Sequence, residues 1–164
     1  SPVKTIAIKP LTAEAFYPFG DVIEVAGTPD KIINQGLCAR FNDLARLDFG
    51  PDGRAGLSLF NAQLRHFPYV LDLMERHPDG SQAFVPMSAD GFLVTVAEDK
   101  GGEPGDPQAF LTQPGQAINI LRNTWHGVLT PLAGNGLFTV IDRIGDTPNL
   151  QEHWFAAPYQ ITQI

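Results

Sequence analysis

Apolar and polar positions alternate over short stretches of the chain, and no helical period persists for long. Seven stretches read as strands: VKTIAIK (3–9), DVIEV (21–25), LSLFNAQL (57–64), QAFVPM (82–87), GFLVTVA (91–97), QAINIL (116–121) and LFTVIDRI (137–144). Between them stand turn signals: PDG at 51–53 and again at 78–80, DKGGEPGD (99–106), QPGQ (113–116) and AGNG (133–136). Thr12 is placed to cap a short helix that must end before Pro18. YVLDLMER (69–76) fits a helical turn or a strand, and 41–54 reads as a surface excursion. Many short strands joined by such turns predict an all-β (mainly β) sandwich or barrel with a few short helices.

Length and charge narrow the possibilities. A chain of 164 residues fits one domain, 1–164, and buries roughly 70% of its unfolded surface, enough for a core without staples. A single cysteine, Cys38, excludes an internal disulfide framework and reads as a small buried hydrophobe. No apolar run approaches the ~20 residues of a membrane span, and SPVKTIAIKP has no leader-like pattern, so a soluble cytoplasmic protein is expected. Against 18 acidic residues stand 11 Lys and Arg, scattered singly, which argues against nucleic acid or an anionic membrane as partner. A small anionic substrate remains compatible, because a few arginines can dominate a cleft.

Four histidines carry most of the chemical interest. None of His66, His77, His126 and His153 pairs at helical i, i+4 spacing, so any metal site must be assembled from separate strands. His66 and His153 lie outside polar clusters and read as structural. In MERHPDGSQAF, a strand running into Pro78 turns Glu75 and His77 to one face and Arg76 to the other, and Gln82 returns after the PDG turn. In INILRNTWHGVL, an extended backbone puts Arg122 and His126 on one face and Asn123 and Trp125 on the other, unless a bend intervenes. Should the two segments be neighbours, a carboxylate, two imidazoles, an amide and a guanidinium converge. That set serves equally as a metal shell or as an acid/base group. Asp142 and Arg143 interrupt an apolar strand and face opposite ways, so at most one of them points inward.

The spacing resembles that of cupins, whose first motif is HxH followed three or four residues later by E, and whose second is G-x5-P-x-G-x2-H. Glu75 and His77 fall on the HxH positions and Gln82 on the E position, while Gly115, Leu121, Asn123 and His126 reproduce the second spacing. Taken together, FGDVIE (19–24), INQG (33–36), SLFNAQ (58–63), ERHPDGSQAFVPM (75–87), RNTWHGVL (122–129) and IDR (141–143) resemble the ureidoglycolate lyase family over nearly the whole chain.

The resemblance implies a cupin-like double-stranded β-helix (jelly-roll) barrel, generally homodimeric, acting in cytosolic allantoin breakdown. It implies cleavage of (S)-ureidoglycolate to glyoxylate and urea, with nickel as the divalent metal associated with some members. On that footing Glu75, His77, Gln82 and His126 surround the substrate hydroxyl, directly or as ligands of the metal. Arg122 or Arg143 pairs with the substrate carboxylate, and Asn123 is a further substrate contact. The departing nitrogen takes its proton from an imidazole or from Asp142. Two alternatives accompany this reading: hydrolysis of the same substrate to ammonia and carbon dioxide, and a non-catalytic binding barrel.

Overall fold

The computed structural model describes residues 3–163; residues 1, 2 and 164, at the ends of the span assigned to one domain, lie outside the described residues. The first strands in chain order are β1 (Lys4–Ile6), β2 (Ile8–Pro10), β3 (Gly20–Ile23), β4 (Lys31–Ile33), β5 (Cys38–Arg40), β6 (Arg54–Asn61), β7 (Tyr69–Arg76) and β8 (Gln82–Pro86). There follow β9 (Phe92–Ala97), β10 (Asp99–Lys100), β11 (Glu103–Pro104), β12 (Gln108–Leu111), β13 (Ala117–Ile120), β14 (Trp125–His126), β15 (Thr130–Pro131), β16 (Leu137–Ile144) and β17 (Gln151–Ile161). A single four-residue helix, α1 (Ala13–Phe16), starts at Thr12, whose hydroxyl accepts from the Ala15 N–H at 3.2 Å. The mainly β reading therefore stands, and 69–76 resolves as strand.

The larger sheet has the order β1-β17-β7-β14-β9-β12-β2, with β15 beside β9. Only Ala7 separates β1 from β2, yet β1 pairs parallel with β17 and β2 parallel with β12. The opening segment therefore joins the two edges, and the sheet rolls into a nearly closed, cupin-like barrel. Closure of this kind removes exposed edges that would otherwise recruit other strands.

A five-stranded sheet, β3-β13-β8-β16-β6, packs on the larger one. Strand β9 shows how the two layers share residues, because all six of its side chains are buried. Phe92, Val94 and Val96 join Phe84, Phe110, Ile118, Phe138 and Val140 in a cluster drawn from both sheets. Leu93 and Ala97, on the other face, join Tyr69, Met74, Trp125 and Ile161. The two-residue period thus feeds two apolar clusters from one strand.

Several local expectations change. β17, the longest strand, has no counterpart among the predicted ones. Cys38 is exposed on the small β4–β5 hairpin, not buried, because that hairpin packs into neither cluster. At its tip Asn34, Gln35 and Gly36 all have positive φ (53°, 60° and 87°), the left-handed region that suits Asn and Gly in a tight turn. No helix of the described residues is long and apolar enough to cross a membrane.

Candidate functional site

The site grows from one cross-strand register. His126 of β14 lies directly opposite Glu75 of β7 on one side and Val96 of β9 on the other. Directly paired residues share a face, and Val96 belongs to the cluster between the sheets, so Glu75 and His126 point there too. Glu152 of β17 is in turn opposite Glu75 and joins that face from the far side.

The bend that brings His126 into place is made at Asn123, whose φ of 63° is left-handed. Asn123 stands where the cupin spacing has glycine, and Asn is among the few other residues that accept this conformation. Its backbone N–H donates to the His77 carbonyl at 3.1 Å, tying the two site segments together. Asn123 itself is exposed, so its visible role is to shape the turn.

One ligand atom each from Glu75, His77 and His126 lies within 4.8 Å of the other two. The imidazole rings of His77 and His126 are 5.1 Å apart, tilted by 40°. His126 is 2% exposed, and its Nδ1 faces the Gly127 carbonyl at 3.0 Å. That contact puts the proton on Nδ1 and leaves the buried Nε2 as a lone pair with no partner among the described residues. Burial, reinforced by the charge of His77, pushes His126 down to about 3, so it is neutral at ordinary pH. Glu75 moves the other way: burial raises its carboxyl, His77 opposes the shift, and the like charge of Glu152 adds to it.

His77 is clamped from two sides. Its Nδ1 meets the Asn149 carbonyl at 2.8 Å and its Nε2 meets Gln82 Oε1 at 2.9 Å. Gln82, buried at the start of β8, donates from Nε2 to Asp142 Oδ2 at 3.1 Å. Of the adjacent pair on β16, then, Asp142 is the one that faces inward.

These donors fit a divalent cation. The unpartnered Nε2 of His126, the Glu75 carboxylate and a His77 ring nitrogen, with the amide oxygen of Gln82 beside them, form a mixed nitrogen and oxygen set. Such a set suits an imidazole- and carboxylate-binding transition metal.

The arginines go elsewhere. Arg122 grips Asp48 through two hydrogen bonds, Nε to Oδ2 at 3.0 Å and Nη2 to Oδ1 at 2.9 Å. Arg143 donates from Nε to the Phe49 carbonyl and from Nη1 to Thr147. Both thus hold the 48–53 loop. Arg76 points away as its strand position requires: it donates to Gln151 and to Asp99, each at 2.7 Å, and lies 4.7 Å over the Trp125 ring. His153 stacks between Trp125 and Phe155, in keeping with a structural role.

Two participants have no local signal in the sequence. Glu152 and Asn149 reach the site only through the pairing of β17 with β7 and the approach of the preceding loop.

A family model described as ureidoglycolate lyase matches residues 3–162. A protein of Rhodobacter capsulatus named ureidoglycolate lyase is 60% identical over 156 residues, covering 95% of this chain and 97% of its own. One of Rhizobium meliloti, named ureidoglycolate lyase 2, is 50% identical over 157 residues, with coverage of 95% and 96%. A ureidoglycolate lyase of Chelativorans is 46% identical over 160 residues, covering 97% of both chains.

Proposed function

The chain belongs to the ureidoglycolate lyase family, and from that premise we propose that it cleaves (S)-ureidoglycolate to glyoxylate and urea. The observation that carries this reading is the inward group of Glu75, His77 and His126, placed under a chain that matches named lyases over almost its full length.

The substrate bears a carboxylate, a hydroxyl and a ureido nitrogen on one carbon. Cleavage moves one proton: the hydroxyl loses it as the C=O bond forms, the C–N bond breaks, and its electron pair leaves on nitrogen, which takes a proton up. Glu75, whose carboxyl is raised by burial, is placed to accept the hydroxyl proton. His126 stays neutral and offers only a lone pair at Nε2, so it accepts from the ureido N–H and orients the substrate. Glu75 then returns that proton to the departing nitrogen, while His77, held at both nitrogens by Asn149 and Gln82, keeps its ring fixed beside the pair.

Glu75, His77 and His126, with Gln82 Oε1 beside them, would hold a divalent metal. Nickel is the one we propose, and it would lower the pKa of the bound hydroxyl.

A homodimer in the cytoplasm, serving allantoin breakdown, completes the proposal. Support for the dimer comes from exposed Leu57 and Leu59 on β6 and from Ile32 and Leu37 on the protruding hairpin.

Product analysis separates the competing activities. Urea in equal amount to glyoxylate marks the lyase, ammonia without urea marks the hydrolase, and glyoxylate binding without turnover marks a binding protein. Metal-stripped and nickel-loaded samples run side by side decide whether the cation is needed.

A further inference from the structure

Asp142, Gln82, His77 and Asn149 form one continuous chain of hydrogen bonds, with spacings of 3.1, 2.9 and 2.8 Å. We propose that Asp142 is a positioning residue: its carboxylate fixes which way the Gln82 amide points, and through that amide it locks the His77 ring in place. The inference rests on the ureidoglycolate reading for the reaction it serves, though not for the geometry.

What each group can donate decides the orientation. An ionised carboxylate only accepts, so Gln82 must turn its NH2 toward Asp142. Its oxygen then has one direction left, toward His77 Nε2. The opposite orientation sets the amide oxygen against a carboxylate, leaving two acceptors face to face inside a site where Gln82 is 6% exposed.

Register makes the contact unavoidable. Asp142 and Gln82 are direct partners across β16 and β8, so their side chains leave the sheet side by side on the inner face. His77 is held at its other nitrogen by the Asn149 carbonyl, a backbone group that cannot swing away. Fixing the Gln82 oxygen therefore fixes the ring at both ends. Asp142 stands one whole side chain away from His77 and does not touch the reacting atoms, so its influence is carried by Gln82.

Exchanging the donor and acceptor roles separates positioning from mere structure. Asp142→Asn can present either an oxygen or an NH2 to Gln82, and the orientation is no longer unique. Gln82→Glu alone places two carboxylates together. Combined, Gln82→Glu with Asp142→Asn keeps the net charge and restores a single solution. The amide introduced at position 142 then donates its NH2 to one oxygen of the carboxylate introduced at position 82, whose other oxygen faces His77. The experiment measures kcat and KM for ureidoglycolate in the wild type, both single variants and the double variant, with circular dichroism to establish folding.

Loss of one charge-assisted contact is expected to lower kcat about ten- to a hundredfold in each single variant, with KM changed by less than about threefold. The double variant should return to within about fivefold of wild type, a strongly non-additive cycle. Single variants as active as the wild type, or a double variant no better than its parents, would overturn the lock.

A second measurement needs no variant to fold. In 15N-labelled wild type, the Gln82 side chain should give one NH2 pair with a proton shifted downfield by Asp142. A pair at free-amide positions would equally overturn the proposal. Failure of the wild type to form glyoxylate and urea would sink the activity reading, while this resonance would still decide the lock.

Discussion

Glu75 and His126 face each other directly across β7 and β14, both turned into the space between the two sheets. This one register places a carboxylate and an imidazole from segments far apart in sequence within ligand distance of each other and of His77. The chemistry follows from opposite effects of the same burial. Removal from water raises the carboxyl of Glu75, readying it to take a proton, and lowers His126, keeping its lone pair free.

His126→Ala should fold and fail to work. Its Nε2 bonds to nothing in the described structure, so the variant loses packing and the local Nδ1 contact with Gly127 without breaking a wider network. We expect kcat to fall about a hundredfold, the cost of losing a contact that orients the substrate. Steady-state kinetics beside a thermal melt check this, and a folded variant with full activity would remove His126 from the reaction.

Arg76→Ala should show the reverse. The Arg76 guanidinium serves Asp99, Gln151 and the Trp125 face on the side away from the site. Its loss should cost about 1–3 kcal/mol of stability, through two hydrogen bonds from the guanidinium and one cation–π contact. The same variant should keep kcat/KM within about threefold, less than a single net hydrogen bond would change it. Denaturant titration and kinetics on one preparation test both halves.

The 48–53 loop is tied down by a pair whose effect depends on pH. A hydrogen bond from Arg122 is the main reason the Asp48 carboxyl titrates below its usual value, with a further backbone bond from Gly50. A carboxyl depressed in the folded state adds stability at pH above its unfolded pKa, and the contribution fades as pH falls through the folded value. Asp48→Asn should therefore melt at lower temperature than wild type near pH 7, and the two melting curves should converge in strong acid. The difference should be modest, because the Asp48 and Arg122 side chains are 44% and 37% exposed. A gap that widens on acidification would contradict the assignment.

Much of this arrangement was legible in the chain, where the physics is local. The short apolar runs GFLVTVA and LFTVIDRI, bounded by turn signals, located β9 and β16, and Thr12 announced the helix cap. The strand period also separated Arg76 from Glu75 and His77. What stayed hidden depends on long-range pairing. β17 mixes Pro158, two alanines and scattered polar residues, and it is a strand because β7 and β1 flank it. Glu152 and Asn149 enter the site only through that pairing, so no pattern around them marks them.

The arginines show a second limit. A sequence displays a guanidinium without displaying its partner. Arg122 and Arg143 are claimed by Asp48 and the Phe49 carbonyl, from an irregular segment whose path no periodicity describes. Asn123 carries the opposite lesson: its part in the turn is legible once the glycine position of the cupin spacing is matched with its left-handed φ.

The most direct test of the account is a stoichiometric product assay of purified protein on (S)-ureidoglycolate, with glyoxylate, urea and ammonia measured together. One urea for each glyoxylate, without ammonia, is the result the inward Glu75–His77–His126 group predicts. Ammonia in place of urea, or glyoxylate binding with no turnover whether or not nickel is supplied, would contradict it.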